Sequence, residues 1–170
     1  MEHLTHAKQE IFDMYIALIH QQEQQESAMK ERISAELESM EQELGSELNL
    51  TMSDIHTIAC IGDHEPINVT SIAGKMGLSK ATVSRITAKL MKKGLIGKTQ
   101  LSDNKKEVYF RLAGKGKKVH AIHQREHEKI EQRFKGFLDR YSAEEILFAR
   151  RLFSDLLMND FLAEPQKRHS

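Results

Sequence analysis

The sequence predicts a mainly α fold: a helix–turn–helix lobe with a β-hairpin wing, flanked by long helices at both ends. Three observations predict it. The 170 residues contain only two prolines and nine glycines, and residues 4–44 contain neither. Residues 70–90, TSIAGKMGLSKATVSRITAKL, read as two short helices meeting at a sharp corner. The charge is segregated although its total is zero. Residues 1–65 hold 3 Lys/Arg against 14 Asp/Glu, whereas residues 75–118 hold 13 against 2.

Along the first 44 residues, Leu4, Ile11, Met14, Tyr15 and Leu18 keep helical spacing, and Met29, Ile33, Leu37, Met40 and Leu44 do so again. Between the two stripes lies a Gln-rich stretch without apolar residues, compatible with one long helix or with two. Gly45 marks a stop. Thr51 or Ser53 then caps a short helix through Ile55, Ile58, Ala59 and Ile61 to Gly62, followed by a loop at His64-Glu65-Pro66.

In the corner stretch, Ile72 and Met76 form one apolar stripe, and Val83, Ile86 and Leu90 another. Gly77 supplies the left-handed backbone that ends the first helix. Ser79 is placed to cap the second. The outer face of that second helix then carries Ser79, Lys80, Thr82, Ser84, Arg85 and Lys89, hydroxyls and cations suited to a DNA groove. Arg85 is the side chain among them able to read guanine bidentately, and Lys89 falls nearer the DNA backbone.

Lys92, Lys93 and Gly94 give a cationic last turn and a stop. Leu95-Ile96 and Val108–Leu112 then flank a turn-rich segment, which predicts a hairpin with Lys105 and Lys106 near its tip, placed to reach phosphates or the minor groove. Residues 117–138 return to a charged helical pattern. Ser142 and Glu145 have capping-box spacing and open a last helix whose apolar set runs from Ile146 to Phe161. That set is wide for a monomer and, with the N-terminal stripes, predicts a dimer interface.

The predicted organisation is therefore N-terminal dimerisation helices over 1–48, a winged DNA-binding lobe over 50–112, and C-terminal dimerisation helices over 113–170. No apolar run suffices to span a bilayer and no signal-peptide pattern is present, so a cytoplasmic location is expected. Cys60 stands alone, which excludes an intrachain disulfide. It lies among Ile58, Ala59 and Ile61 and reads as an inert thiol rather than an oxidation sensor. The absence of a phosphate loop, nucleophile elbow or HExxH motif argues against an enzyme.

In this order of elements the chain resembles the MarR family of bacterial winged-helix transcription regulators. The stretches carrying the resemblance are LTMSDIHTIACIG (50–62), VTSIAGKMGLSKATVSRITAKLMKKGLI (69–96) and SDNKKEVYFRLAGKGKKV (102–119). Where the family usually has Asp-x-Arg in the wing, this chain has Asn104 and Lys106, and lysine lacks the bidentate fork of arginine. The Leu-Thr-x-x-Gly of the family corresponds to Leu112-Ala113-Gly114-Lys115-Gly116. The resemblance implies a homodimer joined through the terminal helices and bound to double-stranded DNA at a pseudo-palindromic operator.

Nine histidines are many for this length, and His123 and His127 stand four apart on one helix face, with His120 one turn earlier. Such a pair can share a metal ion; it also fits a hydrophilic face that carries histidines by composition. A narrower resemblance bears on this. The zinc-dependent, adhesin-competence type repressors of zinc uptake within the family use a Glu in the first long helix, a His in the short helix and an i, i+4 His pair after the wing. The matching positions here are Glu38, His56, His123 and His127, with Glu41 or Glu43 as substitutes for Glu38 after a one-turn slip. A second site known in those repressors corresponds to Leu44, Ile55 and Ile122, which cannot ligate, so one Zn2+ site per protomer is implied. The competing expectation is a family member that responds to a phenolic or lipophilic ligand bound between the dimerisation and DNA-binding lobes.

Overall fold

The computed structural model describes residues 2–44, 48–101 and 104–159. Among the described residues, six helices and three strands follow in the order α1 (Glu2–Leu44), α2 (Met52–His64), β1 (Ile67–Asn68), α3 (Val69–Met76), α4 (Lys80–Lys92), β2 (Ile96–Leu101), β3 (Asn104–Leu112), α5 (Gly114–Leu138) and α6 (Ala143–Met158). The fold is mainly helical with a small antiparallel sheet, as the sequence predicts. Residues Met1–His127 form one compact unit and Glu128–Ser170 a second, with α5 running through the boundary.

Within the first unit, α1 is one continuous helix, so the Gln-rich middle joins the two stripes rather than separating them. Only the second stripe packs: Met29, Ile33 and Leu37 are buried, one turn apart from each other. Leu4, Ile11, Phe12, Met14 and Leu18 are exposed. The side chains of Met40, Glu41, Glu43 and Leu44 lie outside the described residues.

Thr51, not Ser53, caps α2 in a reciprocal capping box with Asp54. The helix continues two residues past Gly62, because Gly62 serves close packing instead of termination: a Cβ there would lie 2.8 Å from the His120 ring. Gly77 has φ 64 and closes α3, while the Ser79 hydroxyl accepts from the Thr82 amide to open α4. Gly94 likewise has positive φ. Both stops were legible because each is local backbone chemistry.

One strand was not expected. β1 has just two residues, too short for any periodicity, and exists because Ile67 and Asn68 pair with Phe110 and Tyr109. The sheet order is β1-β3-β2, so β3 is central. Ser102 and Asp103, between β2 and β3 in the chain, lie outside the described residues. The core joins α1 (Ile33, Leu37), α2 (Ile55, Ile58, Ile61), α3 and α4 (Ile72, Val83, Leu90) and the sheet (Ile96, Phe110, Leu112). α5 starts at Gly114, three residues earlier than the charge pattern suggests. Its Gly116 presses so closely on the turn between α4 and β2 that a Cβ would lie 2.0 Å from the Leu95 carbonyl oxygen.

In the second unit, Ser142 and Glu145 form the anticipated capping box. The α6 side chains Leu147, Phe148, Phe153, Leu157 and Met158 are exposed. Phe161 and the rest of the C-terminus lie outside the described residues. Among the described residues no helix is long and apolar enough to cross a membrane.

Candidate metal centre and nucleic-acid interface

Two groups of side chains stand out. The first lies on α4, which buries Val83, Thr87 and Leu90 and leaves Lys80, Ser84 and Arg85 exposed on the other side. Thr82 is half-buried, its hydroxyl 2.9 Å from that of Ser79, so these two residues form a local cap as well as a polar surface. Lys89 is placed differently from the rest. Its ammonium turns inward to the carboxylate of Asp54 on α2. Burial alone would raise the Asp54 carboxyl, but hydrogen bonds from Lys89 and Thr51 outweigh it and hold the group below its usual value. Lys105 and Lys106 lie in β3, and their side chains are outside the described residues.

The second group is built from α2 and α5. His56 projects from α2, His123 and His127 from successive turns of α5, and one nitrogen of each lies within 4.8 Å of the others. The His123 and His127 Nε2 atoms are 3.1 Å apart. The rings meet edge to face, with centroids 5.4 Å apart for His56 and His123 and 4.4 Å for His123 and His127. His123 is buried; desolvation, then repulsion from His127, His56 and His120, lowers it to about 4. It is therefore neutral at pH 7 and keeps a lone pair for coordination.

These features fit a metal ion. Zn–N bonds of about 2.0–2.1 Å in tetrahedral geometry put two ligand nitrogens roughly 3.3 Å apart, close to the His123–His127 spacing. At that separation one ring can donate its N–H to the other, a place that an ion would take. Glu38 is not brought into this triad. It is exposed on α1, beside Lys30, Glu31, Ser34 and Ala35 along one shallow groove of that helix.

Surrounding the triad are contacts that sequence reasoning did not find. Asp63 Oδ1 lies 2.9 Å from His120 Nε2, joining the end of α2 to α5. Arg125 pairs with Glu36 at 2.8 Å, and Arg32 approaches the buried Glu126 at 3.8 Å, joining α1 to α5. Their partners are tens of residues apart, so spacing carries no signal for them; the place of Glu126 four residues after Ile122, on one helix face, was the one available hint. Cys60 is half-buried, and burial raises its thiol above the ordinary value, which favours the protonated form.

The family model described as MarR matches residues 50–108. A relative from Bacillus subtilis, the HTH-type transcriptional regulator YhjH, is 57% identical over 152 residues, covering 89% of this chain and 87% of its own. The chain belongs to the MarR family. This MarR-family protein is a winged-helix transcription regulator and not an enzyme. Solved structures with the same fold include the zinc-responsive MarR family member ZitR of Lactococcus lactis, 22% identical with a TM-score of 0.58, covering 75% of this chain and 96% of that one. Another is FabT of Streptococcus pneumoniae, solved in complex with DNA, 22% identical with a TM-score of 0.56, covering 75% and 94%. At these identities the likeness extends to the fold.

Proposed function

We propose that this MarR-family regulator is a homodimeric repressor whose hold on a pseudo-palindromic operator is set by a metal ion, zinc. The observation that carries the reading is the convergence of His56, His123 and His127 from two helices onto one point. Three imidazoles would supply three of the four ligands of a tetrahedral zinc site, and Glu38 on α1 is the proposed fourth. A bound ion would add a fixed link between α2 and α5, beside the Asp63–His120 contact. α2 is in turn held to α4 by Asp54 and Lys89. Metal occupancy would thus bias the orientation in which α4 is presented to DNA.

On α4, Lys80, Ser84 and Arg85 are the proposed groove contacts, with Ser79 and Thr82 at the helix start and Lys105 and Lys106 of β3 as proposed wing contacts. Lys89 is reassigned from a DNA contact to a support of the reading helix, because its charge is engaged with Asp54. The dimer is proposed to form through 1–48 and 113–170, leaving 50–112 to DNA. The exposed apolar side chains on the first half of α1 and along α6 support it, since a second copy covering them would remove several hundred Å² of apolar surface from water.

The test is the metal content of the protein as purified, together with its affinity for an operator duplex during a zinc titration and after chelation. Zinc should tighten binding, and His123→Ala and His127→Ala should each remove the response. Glu38→Ala separates a carboxylate fourth ligand, where zinc affinity falls, from a water ligand, where it holds. Affinity unmoved by zinc in the unsubstituted protein would overturn the metal reading.

A further inference from the structure

The wing is joined to the helix–turn–helix by three polar side chains on one face of the sheet. Asn68 and Tyr109 are register partners in β1 and β3, so their side chains share a face, and Glu107 shares it as the residue two before Tyr109. All three are hydrogen-bonded. Asn68 Nδ2 donates to Glu107 Oε2 at 3.0 Å, and the Tyr109 hydroxyl donates to the same oxygen at 2.9 Å. The other end of the Asn68 carboxamide is the N-cap of α3, its Oδ1 accepting from the Ser71 amide at 2.8 Å. A single side chain thereby ties the start of the helix–turn–helix to the rising strand of the wing. Farther along β3, Glu65 accepts from the Leu112 amide at 2.6 Å, so the same strand is held at two points.

Glu107 calls for an explanation. It is one of only two acids in residues 75–118, against 13 cations, and it stands on the wing. An exposed carboxylate beside a phosphate backbone weakens binding by simple repulsion. We propose that Glu107 is a positioning residue: with Asn68 and Tyr109 it forms a clip that sets the angle of the wing against the recognition helix, and this placement outweighs its unfavourable charge. The proposal rests on the DNA-binding reading of the wing and goes beyond it, because it assigns Glu107 a role through its contacts within the protein.

The sign of one substitution decides the matter. Glu107→Leu removes a negative charge from a DNA-binding surface, so electrostatics alone predicts tighter binding. The clip predicts binding weaker by about tenfold at fixed salt, with footprint protection lost at the flank reached by the wing and kept at the half-site read by α4. Asn68→Asp keeps a good helix cap but sets two carboxylates against each other, and should weaken binding in the same way. Combining Asn68→Asp with Glu107→Gln restores a donor–acceptor pair with the roles reversed, and should recover wild-type affinity and flank protection.

The probe is a duplex enriched by the full-length wild-type chain from a randomised pool. Amide exchange in the free variants tests the clip without DNA: exchange should speed up in β2 and β3 while α2 and α4 keep wild-type protection. A wild-type chain that enriches no duplex would count against the DNA reading, and the exchange pattern would still decide the clip. Equal or tighter binding by Glu107→Leu, no recovery in the double variant, or unchanged wing exchange would each overturn the proposal.

Discussion

Asp54 and Lys89 join the helix that carries His56 to the helix that carries Arg85, by an ion pair in which the carboxylate is buried and the ammonium part-exposed. Asp54 also completes the α2 capping box, so one carboxylate fixes the start of α2 and the far half of α4. Removing its cation should therefore act on the fold before it acts on DNA. Lys89→Met is expected to cost about 1–3 kcal/mol in urea denaturation, because Asp54 stays buried without its charged partner. Lys80→Met, on the exposed side of the same helix, should stay within about 0.5 kcal/mol while weakening DNA binding. Equal stability of the two variants would show that the ion pair adds nothing.

Two glycines give opposite expectations. Gly116→Ala places a methyl group against the Leu95 carbonyl oxygen, where neither helix nor turn can easily yield. A loss of about 2–4 kcal/mol follows, read as a lower thermal midpoint. Gly74 lies inside α3, and a methyl group added there would meet nothing within 4 Å. Gly74→Ala should stabilise the protein by roughly 0.5–1 kcal/mol.

His123 makes the stability of the metal-free protein depend on pH. Its value falls from 6.5 to about 4 on folding, so between those values the unfolded chain binds more protons than the folded one. The sign follows: stability is full above about pH 6.5 and declines as pH falls toward 4. The loss should reach on the order of 3 kcal/mol, and His123→Gln should flatten that part of the profile. Denaturation midpoints measured across pH 4–7 in the presence of chelator check it.

Arg85 is exposed on α4 and carries the clearest expectation for sequence reading. Arg85→Ala should reduce discrimination between an enriched duplex and random DNA by about 1–3 kcal/mol. Parallel losses on both duplexes would identify a phosphate contact instead.

The fold class was legible in the sequence because its signals are short-range. The Gly77 corner, the Ser79 cap and the Ser142–Glu145 box each act within about four residues, and amphipathic spacing repeats within two turns. The same holds for the His123 and His127 pair, which any helix would place on one face. Resemblance added His56 and Glu38 to that pair. The structure brings His56 to it and leaves Glu38 exposed on α1.

Other features depended on partners distant in the chain. β1 is a strand only because Phe110 and Tyr109 lie beside it. The Gln-rich middle of α1 carries no signal either way, and the helix runs through it. Lys89 looked like one more cation on a DNA-facing helix until packing set it against Asp54, 35 residues away. By itself, then, the sequence determined most of the helices, the caps of α4 and α6, the wing hairpin and the basic character of residues 75–118, since local propensity and charge are written into neighbouring residues. Tertiary structure alone decided which polar groups of different elements face each other: His56 against the His123–His127 pair, Asp54 against Lys89, and Asn68 against Glu107 and Tyr109. Those pairings are set by how the helices and the sheet pack, and no periodicity records that geometry.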